Sequence, residues 1–516
     1  MESIVGFHLS PRQRHLWALL QDPGHRARDA RALLRLAGPL DADPLAAALE
    51  ALVARHEILR TSFERLPGMP EALQVVEERG VRWEDAEDLR GLSADAAEGR
   101  VEARWSEEPG DGDLPAARLL RTGDDEHRLL LRVHPLSVDE ASWELLTADL
   151  AALYAAERGG APVEDEPVPY LAVSEWLNEV NASDDAQAGR AFWLAQCRGP
   201  GEALPVEPDG VSGEPAAARR VLPPSLASAV DALAASAGTA PDTVVLAAWT
   251  ALLHRLGDTG AQRVGVAANG RADEELMTAI GPFTQHLPIT ATVDAATSFR
   301  ALVEQLRDAR DEAAGMQETF DAEAVHRLLA AEGGAHDATL RFPLGFTPRP
   351  AGDTHGADGV SFSVARRRVA GEPFDLHLVM EGGANDVALE LRGVGFSVDR
   401  VARLLDRVEA LLADAVGRPD APLAILAVMS AGERKTVLRA WNATDRVLPF
   451  IPVHEGVAAQ AARTPDAVAV AFGGETVTYA ELDRRANRLA RHLRRLGVEA
   501  DTRVGVCLER SADLVV

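Results

Sequence analysis

The sequence predicts an α/β protein of two lobes with similar make-up, followed by the start of a further α/β domain. Three observations carry this. Segments with helical and strand periodicity alternate through the first 160 residues and again through 241–415, so each half reads as a sheet with covering helices. A stretch rich in Gly, Pro and Glu at 199–216 lies between the halves and reads as a flexible linker. A second linker at 431–450 precedes a last α/β pattern over 451–516.

The elements follow in order. Ser10-Pro11 marks a helix start, Ser10 as N-cap and Pro11 at the first helical position, continued by Leu16, Trp17, Leu19 and Leu20. A strand is expected at 32–36. Asp43-Pro44 then opens an amphipathic helix through Leu45, Leu49, Leu52 and Val53 to His56. Strands at 73–77 and 128–134 and a helix near 142–157, with Ser142 as its N-cap, complete the first lobe. The acidic, proline-rich residues 162–169 read as a loop. In the second lobe Pro241-Asp242 precedes an apolar helix through Val245, Leu246, Trp249, Leu252 and Leu253. Strands at 263–267, 341–347 and 374–380 and a helix near 398–415 follow. Two such lobes suggest a pseudo-dimer with a groove between them, although no repeat is visible in the sequence.

Composition bounds the function. A length of 516 residues suits two to four folding units, and 47% hydrophobic content allows sizeable cores. No run of 18 apolar residues occurs, and the N-terminus lacks a basic region followed by an apolar one, which argues against a membrane span or signal peptide. A net charge of −27 argues against nucleic acid or an anionic membrane as partner. Lys435 is the only lysine, a bias that fits a GC-rich genome. Cys197 and Cys507 lie far apart, so no disulfide framework is implied and a reducing cytoplasm is expected. The chain ends in the apolar run 512–516, a poor natural terminus, so a longer protein is expected. No metal-ligand spacing, Gly-rich phosphate loop or Ser-His-Asp order stands out.

The most telling segment is His134-Pro135-Leu136-Ser137-Val138-Asp139-Glu140, after the apolar strand 129–133. Its surroundings resemble the condensation domain of non-ribosomal peptide synthetases. The supporting blocks are Leu9-Ser10-Pro11-Arg12-Gln13-Arg14-His15-Leu16-Trp17, Arg55-His56-Glu57-Ile58-Leu59-Arg60-Thr61-Ser62-Phe63, the stretch 170–176, Phe192-Trp193, Ile280-Gly281-Pro282-Phe283-Thr284-Gln285-His286-Leu287-Pro288-Ile289 and Phe374-Asp375-Leu376-His377-Leu378. They span about residues 7–420. Beyond them, Trp441-Asn442-Ala443-Thr444 resembles the linker to an adenylation domain. Val477-Thr478-Tyr479-Ala480-Glu481-Leu482, Arg485-Ala486-Asn487-Arg488-Leu489-Ala490 and Val504-Gly505-Val506-Cys507-Leu508-Glu509 resemble that domain's first motifs. Its phosphate-binding loop and amino-acid pocket would fall past Val516.

The resemblance implies two chloramphenicol-acetyltransferase-like lobes in a V, a condensation N-lobe over 1–180 and C-lobe over 181–430. The linker 431–450 and a truncated adenylation N-terminal part, 451–516, follow. It also implies a tunnel that admits substrates borne on phosphopantetheine of upstream and downstream peptidyl carrier proteins, with no cofactor of its own. The implied partners are those carriers, the chain's own adenylation domain and, in one reading, a trans-acting enzyme. The family's reaction joins an acceptor amine to a donor thioester as an amide.

The family signature at the motif is His-His-x-x-x-Asp-Gly. His134 and Asp139 match, whereas Pro135 replaces the histidine usually given the catalytic role and Glu140 replaces the glycine. Proline has neither a titratable nitrogen nor an N–H. Glu140 would either narrow the acceptor side of the tunnel or sit exposed at the start of the following helix, where a carboxylate suits the helix dipole. By resemblance Asp139 pairs with Arg271 in a structural salt bridge; His134 is read as structural rather than as a replacement base, since alternate side chains point to opposite faces of a continuing strand. Ser137, Ser142, Gln285 and His286 are expected along the tunnel, with Gln285 and His286 departing from their motif and His286 read as a packed or solvated histidine rather than a substitute base. The heterocyclisation signature Asp-x-x-x-x-Asp-x-x-Ser matches only at Asp139 and Ser142. The X-domain of glycopeptide synthetases, an inactive relative that recruits oxygenases, keeps the first His and carries Arg and Asp where Pro135 and Glu140 stand. The expected function is therefore a condensation-type domain with atypical chemistry; the alternative is a catalytically inactive one that recruits a carrier protein or a tailoring enzyme.

Overall fold

The computed structural model describes residues 6–21, 29–65, 71–108, 114–198, 204, 206–257, 261–332, 340–383, 386–447 and 450–516. Residues 1–5, 199–203 and 205 of the expected first linker, and 448–449 of the second, lie outside them. The chain forms two compact units, Met1–Glu433 and Arg434–Val516.

The first unit holds two mixed sheets. The strand Ala30–Ala37 lies near the middle of a seven-stranded sheet, paired antiparallel with Glu126–Val133. On its other side it pairs with Val360–Arg368, so a strand from the C-terminal half completes the N-terminal sheet. Sequence reading places no element there, because the run ends Arg366-Arg367-Arg368 and its apolar alternation fades. The helices Ala42–Arg55 and Glu140–Glu157 pack on each other and bury Leu49, Leu52, Trp143 and Leu150 against Leu34, Leu129 and Leu131. Ser10 caps the helix Pro11–Leu20 through a capping box, its Oγ accepting from Gln13 N and Gln13 Oε1 accepting from Ser10 N.

The second sheet has six strands, in the order Gln285–Thr292, Ala261–Ala268, Leu344–Arg349, Leu376–Gly383, Asp386–Gly393 and Ala216–Val221. The strand Leu344–Arg349 pairs in parallel with both its neighbours. The helix Pro241–Gly257 is buried on all sides from Thr243 to His254, as a helix that is apolar all round requires. Strands predicted at 341–347 and 374–380 begin later, at Leu344 and Leu376. Pro343 explains the shift: it has no N–H for a ladder, and its carbonyl instead accepts from both Asp375 N and Leu376 N.

The second unit, by itself, has the hairpin Val468–Phe472 and Glu475–Thr478, the helices Val453–Arg463 and Tyr479–Arg495, and a small core of Val477, Leu482 and Ala512. Among the described residues no helix is long and apolar enough to cross a membrane.

Candidate functional site

The strand Glu126–Val133 delivers the motif into a tight loop. Ser137 N donates to His134 O, and Leu136 and Val138 turn into the core. The His134 ring stacks on Phe63 at 4.3 Å and accepts from Leu136 N through Nδ1 at 3.2 Å. In the neutral ring the proton therefore sits on Nε2. Burial, helped by the nearby Arg79 charge, pulls the imidazole down to about 4. Pro135 is buried beside it and offers no base.

Asp139 ends the loop and is the true N-cap of the helix Glu140–Glu157. The expectation that Ser142 caps this helix is corrected: Ser142 is the third helical residue and forms a reciprocal capping box with Asp139. The aspartate carboxylate accepts from Ser142 N and Oγ, from Arg271 at 2.8 and 3.0 Å, and from both Thr284 N and Oγ1 at 2.8 Å. Burial pushes this carboxyl up, but Arg271 and the other donors outweigh it and hold it at about 2. Arg271 is fixed in turn by Ala279 O, Asn269 Oδ1 and the face of Phe283. Ser142 Oγ also meets Gly281 O and N, an approach that needs glycine, since a Cβ at Gly281 would come within 2.0 Å of the Tyr170 ring.

Glu140 occupies the first helical position, where a carboxylate suits the helix dipole, but it is not exposed as one of the two sequence readings had it. Arg349 grips it through Nε at 2.7 Å and a terminal nitrogen at 2.5 Å, and also binds Glu381. Burial alone would raise the Glu140 carboxyl; the Arg349 guanidinium more than offsets this and lowers it. Two cavities adjoin the pair, of about 820 and 590 Å³. Both are lined by Glu140, Thr284, Thr347, Arg349 and Arg367, so the ion pair stands in the wall between them.

Of the residues expected along the tunnel, His286 lines the smaller cavity. Ser137 and Ser142 are wholly enclosed, and Gln285 donates to Gln317 O and lines neither space. His134 and Pro135 line neither either. Sequence reading missed Arg349, Thr347 and Glu372, the last a buried carboxylate that accepts from Arg12 and pairs with His15 at 2.8 Å. Only His377 had a signal, within the Phe374 block. Among the described residues no group of three or more His, Cys, Asp or Glu could hold a metal ion.

A family model described as "Condensation domain" matches residues 6–438. The chain belongs to the condensation-domain family. Residues 457–516 match the model of the AMP-binding enzymes, so the condensation domain is followed by the start of an adenylation domain. Phosphinothricin tripeptide synthetase PhsB of Streptomyces viridochromogenes is 30% identical over 541 residues, covering 100% of this chain and 45% of that protein. The chain spans less than half the length of the curated relatives it matches. The first condensation domain of the calcium-dependent antibiotic synthetase, in complex with a substrate analogue, superposes with a TM-score of 0.68 at 22% identity, over 83% of this chain and 99% of that one. The X-domain in a complex with OxyB from teicoplanin biosynthesis gives 0.68 at 23% identity, over 83% and 97%. The condensation domain thus has the fold of its family, with an Asp139–Arg271 ion pair in place and Pro135 after His134.

Proposed function

We propose that this condensation domain, within a cytoplasmic non-ribosomal peptide synthetase, joins an acceptor amine to a donor thioester without an imidazole at position 135. Both substrates would arrive on phosphopantetheine arms of carrier proteins, the acceptor carrier loaded by the adjoining adenylation domain. The supporting observation is that two cavities share Thr284, which donates to the Asp139 carboxylate of the Asp139–Arg271 pair. Placing two reactants together can itself supply a large share of the rate, through effective molarities of about 10⁵ M or more. The test is reconstitution with donor and acceptor carriers, reading amide formation by mass spectrometry; amide from the unmodified chain supports the reading, and none overturns it.

A second reading rests on one specific observation, the Glu140–Arg349 pair between the cavities. An ion pair that obstructs passage there would suit an inactive domain that recruits a carrier or a trans-acting enzyme; the teicoplanin X-domain, of the same fold, is solved in complex with OxyB. Stable binding of a carrier without any transfer would favour it.

A further inference from the structure

One face of the C-terminal sheet bears two histidines bridged by a threonine. His286, Thr347 and His377 stand on the strands Gln285–Thr292, Leu344–Arg349 and Leu376–Gly383. Thr347 Oγ1 lies 3.1 Å from His286 Nε2 and 2.8 Å from His377 Nε2. A hydroxyl has one proton, so it donates to one ring and accepts from the other. The three groups form a chain along which a proton can move.

The surroundings hold this chain in place. Gly265 and Gly345, on neighbouring strands, leave a hollow for Phe374; a Cβ at Gly345 would come within 2.6 Å of that ring. Phe374 lies 4.8 Å from the His286 ring and 4.7 Å from the His377 ring. Thr347 lines both cavities, and both histidines line the smaller one.

We propose that His377, with Thr347 and His286 behind it, takes the proton of the attacking amine, the task that Pro135 cannot perform. This rests on the amide-forming reading above. The amine nitrogen attacks the thioester carbonyl carbon, the C–N bond forms and the C–S bond breaks. The amine proton passes to His377 and on to the departing thiolate sulfur, and nothing is oxidised or reduced. His377 is the group that meets the amine, whereas Thr347 and His286 are positioning residues.

The charges around the chain suit a neutral acceptor. Glu372, Arg12, Glu140 and His15 surround His286, and Arg392 and Arg349 approach His377. Burial dominates and brings His286 down to about 4, and it lowers His377 as well. Both rings are therefore uncharged at neutral pH, each with a lone pair.

The experiment is single-turnover transfer by the whole chain. Donor carriers bear N-acetyl-aminoacyl thioesters and acceptor carriers bear aminoacyl thioesters, drawn from all the proteinogenic amino acids. Thr347→Val and His377→Gln should slow transfer by about 10²-fold or more, the usual worth of general-base help, while Thr347→Ser keeps most of the rate. Transfer by Thr347→Val at the parent's rate overturns the proposal and leaves the amide-forming reading standing. Transfer by His377→Gln at the parent's rate overturns it too. No transfer by the parent with any pair overturns both.

Discussion

Glu140 and Arg349 form a two-pronged ion pair that joins the first turn of an N-terminal-lobe helix to the last residue of a C-terminal-lobe strand. Both line both cavities, so the residue that stands in place of the motif's glycine borders the two spaces. Arg349 keeps a second carboxylate, Glu381, at 2.5 Å. Glu140→Ala should therefore cost less than the roughly 3–5 kcal/mol of breaking a buried pair from one side, since Arg349 keeps a carboxylate partner. It should also speed transfer from carrier-bound donors. Denaturant unfolding and the transfer assay check the two halves, and slower transfer would contradict the picture of an obstructing wall.

Asp139 and Arg271 should behave in the opposite way. Both are buried, and losing one leaves the other's charge without a partner. Asp139→Asn and Arg271→Met should each cost about 3–5 kcal/mol in denaturant unfolding, the usual range for breaking a buried pair from one side.

Gly281→Ala should also be costly. The added methyl meets the Tyr170 ring, whose hydroxyl is held by Ser10 at 2.9 Å, so the ring cannot simply swing away. Overpacking of this kind costs about 1–3 kcal/mol. The same unfolding measurement reads it.

Much of this was legible in the sequence, and particular residues show where legibility stopped. Strands such as Glu126–Val133 and the capped helix Pro11–Leu20 rest on local periodicity and cap chemistry, which the sequence displays directly. Asp139 and Arg271 are 132 residues apart, and only the family resemblance joined them. Arg349 and Thr347 carry no local pattern, since their roles come from sheet order and from the meeting of two lobes. Ser142 was misread because Ser and Asp are both good N-caps, and the choice between them depends on where Arg271 and Thr284 lie.

Stability should fall on mild acidification. His134 and His286 titrate at about 4 when folded, against about 6.5 for an unperturbed histidine. Between these values the unfolded chain binds more protons, so lowering the pH favours unfolding by roughly 1.4 kcal/mol per unit for each group. This contribution is whole above about pH 6.5 and is lost on the way down to 4. Asp139 acts lower still: held at about 2, its stabilisation persists above about pH 4 and disappears as pH falls toward 2. Denaturation midpoints should drop from neutrality toward pH 4, and less steeply in His286→Gln. A flat profile would contradict the burial of these rings.

The most direct test of amide formation without a histidine at position 135 is intact-protein mass spectrometry of the acceptor carrier after incubation with the 516-residue chain and a loaded donor carrier. The predicted result is an acceptor heavier by the donor's acyl group, in an amide that survives thioester cleavage by hydroxylamine. An acceptor no heavier than in a control without the chain, across all donor and acceptor pairs, would contradict it.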